Sequence, residues 1–123
     1  MAAPRESIPD AELEVLKVLW TNEPLTVREI TAAIYGSPST SNIGTVQTLI
    51  QRLEKKRCVK RDRSQYVHRF STRVSQADVA GSQLEALAQK VCDGSLAPFI
   101  SHLVQAKRLS REEKDQIRRL LEE

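Results

Sequence analysis

Residues 44–55 read Gly44-Thr-Val-Gln-Thr-Leu-Ile-Gln-Arg-Leu-Glu-Lys55 and predict a helix with two contrasting faces. At helical spacing, one face carries the apolar residues, which are Val46, Leu49, Ile50 and Leu53. The opposite face carries Gly44, Thr48, Gln51 and Lys55, flanked by Thr45, Gln47 and Arg52, with no carboxylate at its centre. This pattern alone is equally typical of a solvated helix surface and of a face that binds a polar partner.

The charge of the chain is concentrated around this helix. Residues 41–73 contain nine basic and two acidic residues, a formal charge of +7, whereas the rest of the chain carries −4 and the total is +3. A concentrated positive patch attracts phosphate backbones or anionic lipid. Lipid is disfavoured, because no segment combines a basic face with exposed Trp, Phe or Leu.

The segments around residues 44–55 predict a winged helix-turn-helix domain over residues 1–73. A first helix opens at Pro9-Asp10, and a second follows the capping box Thr26-Val-Arg-Glu29 and ends near Gly36, before a Ser/Thr/Pro/Asn loop to Asn42. After Arg57, residues 58–61 and 66–70 alternate apolar with polar side chains around a turn at 62–65, which predicts a β-hairpin. Three helices followed by a basic hairpin place the third helix in the major groove and the hairpin on the DNA backbone as a wing.

In that arrangement the polar face of the third helix reads base edges, through Thr45, Gln47, Thr48 and Gln51. The predicted backbone contacts are Ser41, Asn42, Gly44, Arg52, Lys55, Lys56, Arg61, Arg63, His68 and Arg69. For Ser41 and Asn42 a helix-capping role is equally compatible with the sequence. The alternative function is a winged-helix protein-interaction module that uses the same surface for an acidic partner without sequence-specific DNA binding.

Residues 74–123 predict a helical dimerisation domain of three short helices, so the fold class is mainly α. Ser75 with Asp78 and Ser110 with Glu113 resemble capping boxes. So short a set of helices buries too little surface to be stable alone, which predicts a homodimer. The predicted dimerisation residues are Leu84, Leu87, Val91, Phe99, Ile100, Leu103, Ile117, Leu120 and Leu121.

The sequence lacks the residue patterns that other classes of function require. Cys58, Cys92, His68 and His102 have no metal-binding spacing, and neither a catalytic constellation nor a phosphate-binding loop occurs, so we expect no metal, no cofactor and no enzyme activity. Met1–Ser7 has no apolar signal region, and no apolar run is long enough to span a bilayer. We therefore expect a cytoplasmic protein with reduced thiols and no stable membrane association.

The sequence resembles the BlaI/MecI/CopY repressor family. The similarity rests on Asp10-Ala-Glu-Leu-Glu-Val-Leu-Lys-Val-Leu-Trp20, Leu25-Thr-Val-Arg-Glu-Ile30 and residues 44–56, and continues through Asp93-Gly-Ser-Leu96, Leu109-Ser-Arg-Glu-Glu113 and residues 117–121. The resemblance implies a bacterial transcriptional repressor that binds a dyad-symmetric operator as a homodimer. Thr45 and Thr48 match base-reading positions of the family, and Gln47 stands where some members have a cation.

In penicillinase repressors the resemblance further implies regulation through a membrane sensor protease system, with cleavage in the tail. This chain has His102-Leu103 where those repressors have Asn-Phe. The copper-responsive branch carries Cys-x-Cys motifs near its C-terminus, whereas this chain ends Leu120-Leu-Glu-Glu123. The sequence therefore predicts neither copper sensing nor a particular inducing signal.

Overall fold

The computed structural model describes residues 7–123, so the predicted absence of a signal segment falls largely outside the described residues. The helices and strands are α1 (Asp10–Thr21), α2 (Val27–Tyr35), α3 (Thr40–Lys55), β1 (Val59–Asp62), β2 (Arg69–Thr72), α4 (Gln76–Cys92), α5 (Ala97–Gln105) and α6 (Arg111–Leu121). This order confirms the mainly α fold class, a winged helix followed by a helical C-terminal region. The chain divides into two compact units, of which the N-terminal unit ends at Gln83 and the C-terminal unit spans Leu84–Glu123.

The core of the N-terminal unit forms where α1, α2, α3 and the hairpin meet. The predicted apolar face of α3 is buried throughout, at Val46, Leu49, Ile50 and Leu53. The capping box that begins α2 is confirmed, since the Thr26 side chain accepts from the Glu29 amide and the Glu29 carboxylate accepts from the Thr26 amide. These contacts hold α3 with its apolar face inward and its polar face outward.

The third helix begins earlier than the sequence indicated. Ser39 is its N-cap and its side chain accepts a hydrogen bond from the Asn42 amide at 3.2 Å. Ser41 and Asn42 therefore lie in the first helical turn, and the capping role considered for them belongs to Ser39. Ser39 at N-cap satisfies the amide of Asn42, and this contact sets the beginning of the helix.

The wing pairs Val59 with Thr72, Lys60 with Ser71, Arg61 with Phe70 and Asp62 with Arg69 in antiparallel register. Its second strand starts later than predicted, so Tyr66 and Val67 lie in the connecting loop rather than in a strand. The position of β2 is set by Phe70, which is buried and exchanges two backbone hydrogen bonds with Leu25, of 3.0 and 2.7 Å. Tyr66 and Val67 are exposed, so neither contributes to the core.

The N-terminal unit extends beyond the domain boundary predicted at residue 73. Val74 and Val79 are buried in its core, and the Trp20 indole N–H donates to the Val74 carbonyl at 2.9 Å. Helix α4 thus begins in the N-terminal unit and ends in the C-terminal unit. The composition change after Thr72 marks the end of the wing, whereas the packing of Val74 and Val79 decides where the compact unit ends.

Most large apolar side chains of the C-terminal unit are exposed. Helices α5 and α6, both wholly within the described range, contain no buried residue. The capping box predicted at Ser110 and Glu113 is confirmed, and the Asp78 amide donates to the Ser75 hydroxyl at 3.0 Å in the first turn of α4. The predicted helices are therefore present, but their apolar faces lie open to solvent.

Candidate nucleic-acid interface

The polar face of α3 is a solvent-exposed surface. Thr45, Gln47, Thr48 and Gln51, the four side chains predicted to contact base edges, are all exposed. Gly44 lies on the same surface, and a methyl group at that position would meet no other atom within 4 Å. The first turn of α3 contains no acidic residue, so no carboxylate of that turn competes with an anion for the positive end of the helix dipole.

The two threonines of this face have fixed hydroxyl groups. Thr45 Oγ1 donates to the Ser41 carbonyl and Thr48 Oγ1 donates to the Gly44 carbonyl, each at 3.2 Å. Such a bond uses the hydroxyl hydrogen and leaves the oxygen as an acceptor. Each threonine can therefore accept from the amino group of adenine or cytosine and place its methyl group against thymine, while Gln47 and Gln51 remain donors and acceptors.

The predicted backbone-contact cations fall into two groups. The side chains of Arg52, Lys55 and Arg63 are exposed. The remaining cations, which are Lys56, Arg61 and Arg69, form ion pairs with carboxylates of the N-terminal unit. The exposed cations can reach a phosphate without breaking an ion pair, whereas each cation of the second group is already paired with a carboxylate of the protein.

Lys56 forms the most buried of these three ion pairs. Its Nζ lies 2.6 Å from Glu12 Oε1 and 2.9 Å from the Ser7 carbonyl, and the two side chains are 13% and 2% exposed. Breaking a buried pair leaves an uncompensated charge in the protein interior, which is strongly unfavourable. We therefore assign Lys56 to the attachment of α1 to the end of α3, in place of the predicted phosphate contact.

Arg69 and Glu29 form a looser contact at the surface. The Arg69 guanidinium lies 3.4 Å from Glu29 Oε1 and 3.4 Å from Gln65 Oε1, and both members of the ion pair are well exposed. Glu29 already accepts from the Thr26 amide, and that hydrogen bond is the main reason its pKa is lowered. An exposed pair of this kind contributes little stability, so Arg69 can exchange Glu29 for a phosphate at small cost.

The wing brings two further groups next to α3 that the sequence prediction omitted. Tyr66 is fully exposed and Val67 is 56% exposed, in the loop between β1 and β2. With His68 they line a cleft of about 310 Å³ whose other walls include Ile43 and Gln47 of α3. The signal in the sequence is an aromatic and a β-branched residue inside a basic hairpin, a pattern that equally fits the alternation of a strand.

His102 and the predicted dimerisation residues lie in the C-terminal unit. Phe99 is partly buried, and the other eight predicted residues are exposed. Cys58 is buried and Cys92 partly buried. In the part of the chain that the structure describes, no helix is long and apolar enough to cross a bilayer, and no group of three His, Cys, Asp or Glu side chains is arranged to hold a metal ion.

A helix with an exposed carboxylate-poor face, beside a two-stranded wing with exposed cations, defines a winged-helix DNA-binding protein. Comparison with known proteins identifies its family. The model of the family described as penicillinase repressor matches residues 8–123, so the chain belongs to the penicillinase repressor family.

Individual relatives agree with this assignment. The transcriptional regulator BlaI of Mycobacterium tuberculosis is 35% identical over 116 residues, which cover 93% of this chain and 82% of that protein. The penicillinase repressor of Staphylococcus aureus is 25% identical over 121 residues, covering 98% and 95%. That of Bacillus licheniformis is 27% identical over 116 residues, covering 94% and 90%. The chain is a bacterial transcriptional repressor of the BlaI/MecI type and not an enzyme.

Proposed function

We propose that this repressor is a cytoplasmic homodimer that binds a dyad-symmetric operator, with α3 of each copy in a major groove and each wing on the adjacent backbone. The observation that carries the proposal is the exposed face of Thr45, Gln47, Thr48 and Gln51. These side chains offer hydrogen bonds and methyl groups suited to base edges, and Arg52, Lys55 and Arg63 surround them with charges suited to phosphates.

The backbone contacts that we propose are those the geometry leaves available. Arg52, Lys55 and Arg63 bind phosphates directly, and Arg69 does so after exchanging Glu29. Ser41 and Asn42, in the first turn of α3, meet the phosphate that approaches this helix N-terminus, although the Asn42 side-chain amide already donates to the Ser37 carbonyl at 3.0 Å. Tyr66 adds an apolar contact to deoxyribose from the wing.

A dimer supplies the second DNA-binding unit, which binds the second half-site of the operator. Leu103 is 38% exposed, Ile117 40%, and Leu120 58%, and an apolar surface on a helix is stable in water mainly when a partner covers it. We propose that a second copy covers these side chains, so that two weak half-site contacts become one strong contact.

Cleavage in the tail, which the family resemblance implies for penicillinase repressors, would fall in α5 of this chain. The His102–Leu103 bond lies inside this helix, where the His102 carbonyl accepts from the Ala106 amide at 2.8 Å and the Leu103 carbonyl from the Arg108 amide at 3.0 Å. A protease needs an extended segment, so cleavage at this bond requires α5 to open first. We propose that tail helices without a partner open more readily than those in the dimer.

A titration of fluorescently labelled promoter DNA tests the proposal. The full chain should prefer its own promoter over a scrambled duplex of equal length by roughly 10³-fold or more. Affinity should fall steeply with salt, because the exposed cations displace condensed counterions. Equal affinity for both duplexes would instead favour the protein-interaction module, and an acidic polypeptide competitor would then displace either duplex.

A further inference from the structure

The recognition helix carries a single carboxylate, and the wing neutralises it. Glu54 is the one acidic residue in the sequence of α3. Arg61 of β1 binds it through two hydrogen bonds, Nε to Oε2 at 3.1 Å and Nη2 to Oε1 at 2.8 Å. Both side chains are about a quarter exposed, and the hydrogen bond to Glu54 is the main reason the pKa of Arg61 is raised. The pair is a two-point contact between the recognition helix and the wing.

Arg61 is also fixed from the wing side. Its guanidinium carbon lies 4.7 Å from the centroid of the Phe70 ring, and Phe70 is its cross-strand partner in the hairpin. A cation above an aromatic face is attracted by the ring, and Phe70 itself is buried. The guanidinium therefore lies between the carboxylate of α3 and a buried ring of β2.

His68 is the third partner of the same guanidinium. Arg61 Nη1 lies 3.2 Å from His68 Nδ1. Because a guanidinium only donates hydrogen bonds, Nδ1 is the acceptor, and a neutral His68 then carries its hydrogen on Nε2. The Nε2 hydrogen of His68 can therefore donate to an anion, and Arg61 fixes the ring that presents it.

We propose that Arg61 is a positioning residue, which locks the wing to α3 so that the two enter DNA as one unit, and that it is not itself a phosphate contact. The proposal rests on the proposed operator binding. It revises the role predicted for Arg61 from the sequence, and it leaves to His68 the phosphate contact on this side of the wing.

Two measurements test it, one of them without DNA. Arg61→Lys keeps the positive charge but replaces the planar fork by a point charge, which cannot hold two Glu54 oxygens and His68 at once. In the free protein, this variant should speed hydrogen exchange of the β1 and β2 amides at least several-fold while the amides of α1 keep their wild-type rates. Glu54→Gln, at the other end of the contact, should speed the same wing amides.

The DNA measurement separates positioning from phosphate binding. Arg61→Lys should weaken operator binding on the order of tenfold, and Arg61→Gln should leave the slope of log affinity against log salt unchanged, because a positioning arginine displaces no counterion from the DNA. Arg63→Gln should instead reduce the slope of log affinity against log salt by about one. Arg73→Lys, a matched change at an exposed arginine just after the wing, should match the wild type in both experiments.

The outcomes distinguish the two levels of the proposal. Wild-type exchange rates in Arg61→Lys together with wild-type operator affinity would overturn the positioning role. A smaller salt slope in Arg61→Gln, equal to that of Arg63→Gln, would show that Arg61 binds a phosphate and would also overturn it. Failure of the wild-type protein to prefer its operator would refute the proposed function. The exchange measurement would still test whether Arg61 holds the wing against α3.

Discussion

The N-terminal and C-terminal units have similar sequence patterns and opposite burial. In both, apolar residues recur at helical spacing and Ser or Thr begins a helix in a capping box. In the N-terminal unit Leu16, Ile50 and Phe70 are at most 1% exposed, whereas in the C-terminal unit Leu120 and Leu121 are 58% and 79% exposed. Periodicity predicts which face of a helix is apolar, but it does not specify which chain covers that face.

The difference has a physical reason. The N-terminal unit combines α1, α2, α3 and a hairpin around one core, so every apolar face meets another within the same chain. The described residues of the C-terminal unit comprise the end of α4 and two short helices, and Ala88 is the buried apolar residue among them. The first unit therefore folds from internal contacts, whereas the second copy that we propose would cover the apolar faces of the second unit.

The sharpest test of the comparison is a cavity in the N-terminal core. Phe70→Ala removes a ring that is 1% exposed and packs in the core, so it should lower the free energy of unfolding by about 3–5 kcal/mol. Chemical denaturation followed by tryptophan fluorescence measures the loss, because Trp20 lies in the same unit. The loss should be the same at low and high protein concentration. A concentration-dependent loss would show that this core also needs a second copy.

The corresponding substitution in the C-terminal unit should act by preventing two copies of the chain from associating. Leu120→Asp places a charge on the exposed apolar face of α6, which we expect to yield monomers in sedimentation and to weaken operator binding on the order of 10²-fold. Binding to a single half-site should be unchanged, because the N-terminal unit is intact. Asp115→Asn, on the same helix, serves as the control. An unchanged dimer would mean that the second copy packs elsewhere.

A smaller effect is expected on the outer face of α3. Thr48→Ala removes an acceptor and a methyl group without disturbing the buried face, and it should cost about 1–3 kcal/mol on the operator. Binding to scrambled DNA should change little, since a base contact carries sequence information and a phosphate contact does not. Thr48→Ser, which keeps the hydroxyl, should recover the hydrogen-bonding part of the loss. Equal losses on both duplexes would remove Thr48 from the base-reading set.

The smallest expected effects come from removing the hydroxyl of each capping box, at Thr26 in the N-terminal unit and at Ser110 in the C-terminal unit. Thr26→Ala should lower the stability of the N-terminal unit by about 1 kcal/mol at any protein concentration, because the cap belongs to its own folded core. Ser110→Ala should lower the helix content of the C-terminal unit, measured by circular dichroism, and mainly in dilute samples. A loss of helix content in Ser110→Ala that is equal in dilute and concentrated samples would contradict a tail stabilised by association.

The carboxylates of both capping boxes should make the stability of the folded protein depend on pH. The pKa of Glu29 and of Glu113 is lowered chiefly by the hydrogen bond from the cap backbone amide, of Thr26 and Ser110 respectively. A lowered carboxylate pKa in the folded state contributes stability above the ordinary pKa, and that contribution is lost as the pH falls through the lowered value. The stability of the N-terminal unit should therefore decline below about pH 4 less steeply in Glu29→Gln than in the wild type.

The sequence predicted the elements better than their ends. Of the three predicted capping boxes, those at Thr26 and Ser110 are confirmed, because a hydroxyl and a carboxylate three residues apart act locally. At Ser75 the hydrogen bond from the Asp78 amide to the hydroxyl is present. The beginning of α3 and of β2 was not predicted correctly, since Ser39 is one of several possible caps in a Ser/Thr-rich loop and β2 is placed by the distant pairing of Phe70 with Leu25. Local chemistry is visible in a sequence, whereas a choice among similar local options depends on contacts far along the chain.

The amino-acid sequence by itself determined which face of α3 is apolar and which is polar, and it located the positive charge around that helix, because periodicity and composition are properties of the chain. Only the tertiary structure decided which cations remain available. Lys56 and Arg61 looked like phosphate contacts, but folding brings Glu12 and Glu54 against them from positions that no local pattern connects. A charge pair depends on distance in space, and that distance exists only after the chain has folded.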